Sequence, residues 1–120
     1  MSVIAKVFGS EGLSNRVALY VPSTTAVDQP LDESTAEQFV SRSLRLMSEL
    51  FGGATALPAS GGWVASDGKL VTERVTIVYS FTGDLTTEDL MKIKFFVESL
   101  KAEMRQEAIA VEINGRLIFV

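Results

Sequence analysis

The sequence predicts an α+β domain of the ferredoxin-like kind, β-α-β-β-α-β, with two helices over one face of an antiparallel sheet. Three observations predict it. Apolar stripes of helical period run over 34–51 and 86–106; two β runs are joined through Asp67-Gly68; two more are joined through Asn114-Gly115. A chain of 120 residues is read as one domain, 1–120.

The elements follow in order. "SVIAKVF" (2–8) carries β-branched residues and reads as an extra N-terminal strand. "GSEGLSN" (9–15) is a loop, and "RVALYVP" (16–22) is a strand that Pro22 ends. "STTAVDQPLDE" (23–33) is a polar connection. Ser34 and Glu37 match the reciprocal S-x-x-E cap, Phe39, Val40, Leu44, Met47 and Leu50 make the stripe, and Gly52 and Gly53 close the helix. The second helix starts at Thr86 with Asp89 three residues on, and ends near Gln106. "AIAVEI-NG-RLIFV" is a C-terminal hairpin carrying the strongest short turn signal.

The middle hairpin carries the functional candidates. With Asp67-Gly68 as a two-residue turn, Ser66 faces Lys69, Trp63 faces Thr72 and Gly62 faces Glu73. One face then holds Val71, Glu73, Val75, Ile77, Tyr79 and Phe81, and its hydrophobicity places it under the helices. Glu73 is an acid among apolar residues there, with Arg16 and Arg105 as candidate partners. A buried carboxylate needs a cation or several N–H donors, otherwise its pKa rises. Trp63 falls on the opposite, uncovered face beside Thr72 and Arg74, and Tyr20 joins it if Val17, Leu19 and Val21 face the helices. Leu117 and Phe119 share that outer face with Ala110 and Glu112. An open face this apolar asks for a cover, and a second copy in a two-fold dimer is the expected one, with Trp63, Leu117 and Phe119 as interface candidates.

Composition narrows the chemistry. There is no cysteine and no histidine, which excludes thiol catalysis, a Ser–His–Asp arrangement and any thiolate or imidazole metal site. Net charge is −4, with no clustered Arg/Lys stripe, so neither nucleic acid nor an anionic membrane is an expected partner. No apolar run is long enough to span a bilayer and the first residues lack a signal-peptide pattern, so a cytoplasmic protein is expected. "FGSEGLSNR" (8–16) lacks the P-loop spacing, and the acids of "DLTTED" (84–89) suit a helix N-terminus; no metal and no cofactor is expected.

The run "GGW...DGKLVTE", followed by "RQEAIAVEINGRLIFV", resembles a domain of unknown function found in short bacterial proteins. The matching positions are Gly61, Trp63, Asp67, Gly68, Glu73, Gln106 and Glu107, and the likeness runs from Phe51 to the chain end. That resemblance implies the fold and a choice of residues, and no reaction.

The candidate ligand-binding set is Glu73, Trp63, Arg74, Tyr79, Arg105, Gln106 and Glu107. The first reading is a binding or oligomeric interaction protein, with a small molecule or a protein near Glu73. The alternative is a cofactor-free enzyme of the dimeric α+β isomerase or oxygenase type, with Glu73 as general base and Arg105 or Tyr79 assisting. A further alternative is a phage or mobile-element inhibitor of a host protein. A cavity with Glu73 on its wall favours the enzyme, and a packed Glu73–Arg pair without a cavity favours the first reading.

Overall fold

A computed structural model describes residues 1–25 and 29–120. In chain order the elements are α1 (Val3–Phe8), β1 (Asn15–Pro22), β2 (Thr24–Thr25), β3 (Gln29–Pro30), α2 (Glu33–Phe51), β4 (Thr55–Val64), β5 (Leu70–Thr82), α3 (Thr87–Glu103), β6 (Ala110–Ile113) and β7 (Arg116–Phe119). The main sheet has five strands in the order β4-β5-β1-β6-β7, every neighbouring pair antiparallel. β2 and β3 form a separate two-stranded ribbon. The fold class is α+β, as expected.

Local chemistry accounts for the ends of the elements and corrects several expectations. The N-terminal segment is a helix and not a strand. Ser2 caps it by accepting from the Ala5 N–H, and Gly9 closes it in the left-handed conformation. The cap of α2 is Asp32, whose carboxylate accepts from the Thr35 N–H at 2.7 Å, so Ser34 lies inside the helix. Gly52 ends α2 as expected, with φ of 88°. Thr86 and Asp89 form the full reciprocal cap of α3, which ends at Glu103, just short of Gln106. The connection expected over 23–33 contains the β2–β3 ribbon; its residues 26–28 lie outside the described residues.

Both long helices pack on one face of the sheet. Val17, Leu19 and Val21 of β1, Val78 of β5 and Val111 of β6 meet Phe39 and Met47 of α2 and Ile93, Val97 and Leu100 of α3. The expected face of β5 is reversed. Register pairs Val17 with Ser80, Leu19 with Val78 and Val21 with Thr76, so the even residues of β5 lie under the helices. Glu73, Val75, Ile77, Tyr79 and Phe81 face the open side. The reason is size: the helices supply the bulk, and small side chains such as Ser80 and Ala56 let α2 approach. The hydroxyls that this buries are satisfied, Ser80 donating to the Gly53 carbonyl at 2.7 Å and Ser43 to that of Phe39 at 2.8 Å.

The molecule is long, 53 × 30 × 25 Å. Its radius of gyration is 16.2 Å, against about 14 Å for a compact domain of this length. The excess is the β4–β5 hairpin. β1 stops at Pro22 opposite Val75, while β4 and β5 stay paired out to Val64 and Leu70. The far half of the hairpin is therefore an arm that, among the described residues, has no third strand paired to it in the main sheet.

Candidate functional site

The turn of the arm sets the site. Asp67 keeps a right-handed backbone and only Gly68 has positive φ, at 86°. The loop is three residues, Ser66 to Gly68, closed by Ala65 N–H donating to the Lys69 carbonyl and Gly68 N–H to that of Ala65, both at 2.9 Å. This is a right-handed turn followed by a left-handed glycine. Every pair is one residue off the two-residue expectation: Trp63 faces Val71 and Gly61 faces Glu73. Trp63 thus shares the open face with Glu73, while Thr72 and Arg74 alternate to the other face. Trp63 is open-faced as expected; Glu73 is not under the helices.

Trp63, Val71, Glu73 and Arg74 line a cleft of about 330 Å³ whose other wall is the ribbon, through Ser23, Thr24 and Pro30. Ser23 ties ribbon to arm, its hydroxyl donating to the Arg74 carbonyl at 2.7 Å. Gln106 braces the ribbon from behind, donating from Nε2 to the Thr24 carbonyl at 2.7 Å. The Thr25 hydroxyl donates to the Met104 carbonyl at 3.1 Å. Gln106 therefore stands one step behind the cleft and does not line it. Arg105 and Glu107 are exposed and do not line it. Glu73 is exposed, and among the described residues it has neither hydrogen bond nor ion pair. The expected buried Glu73–arginine pair is absent there, and a cleft with Glu73 on its wall is present instead.

Tyr79 lies six residues along β5 from Glu73, about 20 Å away at strand rise. It belongs to a second cluster on the same face. The Arg16 guanidinium lies 4.4 Å from the Tyr79 ring centroid and 5.8 Å from that of Phe81. Arg16 also pairs with Glu112 at 3.4 Å, and Tyr20 donates its hydroxyl to Glu112 at 3.2 Å. Burial, then the Glu112 charge, hold the Tyr20 phenol above its ordinary pKa. Alternation along β1 places Arg16 and Tyr20 on one face, but the pairing of β1 with β6, which adds Glu112, is not written in any local pattern. The two clusters are separated by an apolar floor of Leu57, Ala59, Val75 and Ile77. Trp63 and the pair Leu117 and Phe119 stand on opposite edge strands of this face, exposed by 52%, 51% and 70%.

Among the described residues no group of His, Cys, Asp and Glu could hold a metal ion, and no helix is long and apolar enough to cross a membrane. No described protein family matches the sequence, and no curated protein does. Two solved structures are similar in fold. One is a phage SAM lyase in complex with S-methyl-5'-thioadenosine, 20% identical, with TM-score 0.63, covering 91% of this chain and 91% of that one. The other is a phage SAM lyase in the apo state, 20% identical, with TM-score 0.61, covering 91% of this chain and 88% of that one. The likeness takes in nearly the whole path of both chains, and it establishes a shared fold.

Proposed function

We propose that the chain is a cofactor-free enzyme that breaks a carbon–sulfur bond of a sulfonium nucleoside of the S-adenosylmethionine type, on a ferredoxin-like frame with an added edge strand. The observation that supports it is the meeting of Trp63 and Glu73 in one cleft, in a chain that shares its path with phage SAM lyases. The cleft volume falls at the small end of ligand pockets, about 300–1,000 Å³. The indole gives a flat face for a purine. Glu73 gives an acceptor for ribose hydroxyls or the substrate ammonium.

The chemistry suits these residue types. A sulfonium carries its own leaving group. The substrate's own α-carboxylate oxygen attacks the γ-carbon, and a C–O bond forms as the C–S bond breaks. Both electrons stay on sulfur, and a neutral thioether departs beside a lactone with no proton to be moved. Positive charge on sulfur disappears along the way. An apolar wall such as Pro30, Trp63 and Val71 therefore disfavours the charged ground state more than the transition state. A carboxylate against the sulfur itself would do the reverse, so Glu73 is assigned to binding and orientation and not to the reacting bond. This departs from the general-base role.

The test is chromatography of S-adenosylmethionine after incubation with the purified chain. Release of S-methyl-5'-thioadenosine is expected, with Trp63→Ala raising KM and Glu73→Gln lowering kcat/KM by about 10²-fold, the scale of lost positioning. A folded wild-type chain that releases none would overturn the reading.

Assembly through the open face is a second reading, supported by the exposed Trp63, Leu117 and Phe119. These stand four strand spacings apart, about 19 Å, so a second copy would have to cover the sheet's whole width, central Ile77 included. Ile77→Asp should then split the assembly in sedimentation. An unchanged mass would remove this reading and leave the enzyme reading standing.

A further inference from the structure

The two edges of the main sheet are built differently. On β4 the hydrogen-bonding groups of residues 58, 60, 62 and 64 turn outward, because the Ala65 N–H bonds inward to the Lys69 carbonyl and alternation from there turns residues 63, 61, 59 and 57 inward to β5. Those outward positions hold Pro58, which has no N–H to offer, and Gly62, which weakens a strand; both are familiar protections of a free edge. β7 has no such protection. Val120 and Ile109 exchange both hydrogen bonds, so Ile118 and Arg116 also pair inward with β6. The N–H and C=O of Leu117 and Phe119 therefore turn out toward the free edge.

β7 is also apolar on both faces. Leu117 and Phe119 stand on the open side, and Ile118 stands on the helix side, 46% exposed. There it lines a groove of about 540 Å³ beside α3, with Ile93 and Val111 on its floor. An uninterrupted Leu-Ile-Phe run is the composition of a strand covered on both faces and paired on both edges.

We propose that β7 pairs with β7 of a second copy, antiparallel about a two-fold axis at Ile118. The register follows from the outward groups: Leu117 meets Phe119 of the partner subunit in a hydrogen-bonded pair, and Ile118 meets its own counterpart in the closer, non-hydrogen-bonded pair. The sequence is self-complementary in that register. Apolar residues oppose apolar residues, and Arg116 falls opposite Val120, so no like charges meet. This contact joins two sheets edge to edge and differs from assembly through the open face.

The chain has no cysteine, which makes a clean test. In the proposed pair the two Ile118 Cα atoms lie about 4.5 Å apart, within disulfide range. Ile118→Cys should give a covalent dimer under mild oxidation, and Ser60→Cys at the other edge should not. Wild type should sediment at twice the 13.0 kDa chain mass. Phe119→Pro removes one outward N–H without touching the β6–β7 ladder, and should sediment as the single chain with an unchanged far-UV spectrum. Wild type sedimenting as a single chain at micromolar concentration overturns the proposal. So does an Ile118→Cys chain that stays uncrosslinked, or a folded Phe119→Pro chain that keeps the wild-type mass.

Discussion

The two hairpins carry nearly the same turn signal and make different turns. Asn114-Gly115 takes positive φ at both residues, 51° and 84°, and closes directly on Ile113 and Arg116. Asp67-Gly68 takes it only at the glycine, and the loop grows by one residue. The side chains explain the difference. Asp67 accepts from the Lys69 N–H at 3.0 Å, a bond to its own loop that suits a right-handed aspartate. Asn114 spends its side chain on β1 instead, accepting from the Arg16 N–H at 2.7 Å and donating to Asn15 Oδ1 at 2.8 Å. A turn docked against a neighbouring strand is held in the tighter form; a turn at the tip of a free arm follows its own local bonds.

That difference separates what was legible in the sequence from what was not. The C-terminal hairpin was read with its turn and its outer face right: Ala110, Glu112, Leu117 and Phe119 do share one face. The second helix was read to its cap. The arm was read with its turn in the right place and its register one off, because a dipeptide does not reveal whether its first residue will adopt positive φ. A slip of one residue in a strand exchanges faces, and so Trp63 and Glu73 looked separated when they share a cleft. The face of β5 was misjudged for another reason: hydrophobicity marked the larger side chains, whereas helix packing selected the smaller ones. The ribbon wall and the Arg16–Tyr20–Glu112 cluster depend on contacts between residues at least 51 positions apart, for which no local pattern exists.

Breaking the two turns should cost unequal amounts. Asn114→Ala puts a residue without asparagine's tolerance of the left-handed region at φ of 51° and removes the acceptor of the Arg16 N–H. We expect a loss of about 2–3 kcal/mol in urea unfolding, from left-handed strain and a forfeited hydrogen bond. Asp67→Ala loses one exposed bond and should cost about 0.5–1 kcal/mol. Equal losses would mean that docking on β1 does not distinguish the turns.

The glycines should be closer to each other. Gly68 and Gly115 have φ of 86° and 84°, and an added Cβ at either meets nothing within 4 Å. Only backbone strain remains, about 1–2 kcal/mol for alanine at each. A much larger loss at Gly68 than at Gly115 would show that the arm holds up more of the fold than its lack of neighbours suggests.

The smallest expected difference is electrostatic. Glu112, on the C-terminal hairpin, is tied to Tyr20 and Arg16, while Glu73, on the arm, has no such ties among the described residues. The Tyr20 phenol is held above its ordinary value of 10.0, first by burial and then by the Glu112 charge. A folded-state pKa above the unfolded one means that the native state keeps its proton longer. The stabilisation is complete below pH 10 and is lost as pH rises through the higher folded value. Thermal melts of wild type should therefore fall more steeply than those of Tyr20→Phe from about pH 10 upward, where an ordinary tyrosine would already be losing its proton. Glu73→Gln should leave the wild-type alkaline slope unchanged, because the arm carboxylate does not face Tyr20. If Glu73→Gln flattened the slope as Tyr20→Phe does, the two clusters on the open face would be one, and the cleft would extend across the apolar floor between them.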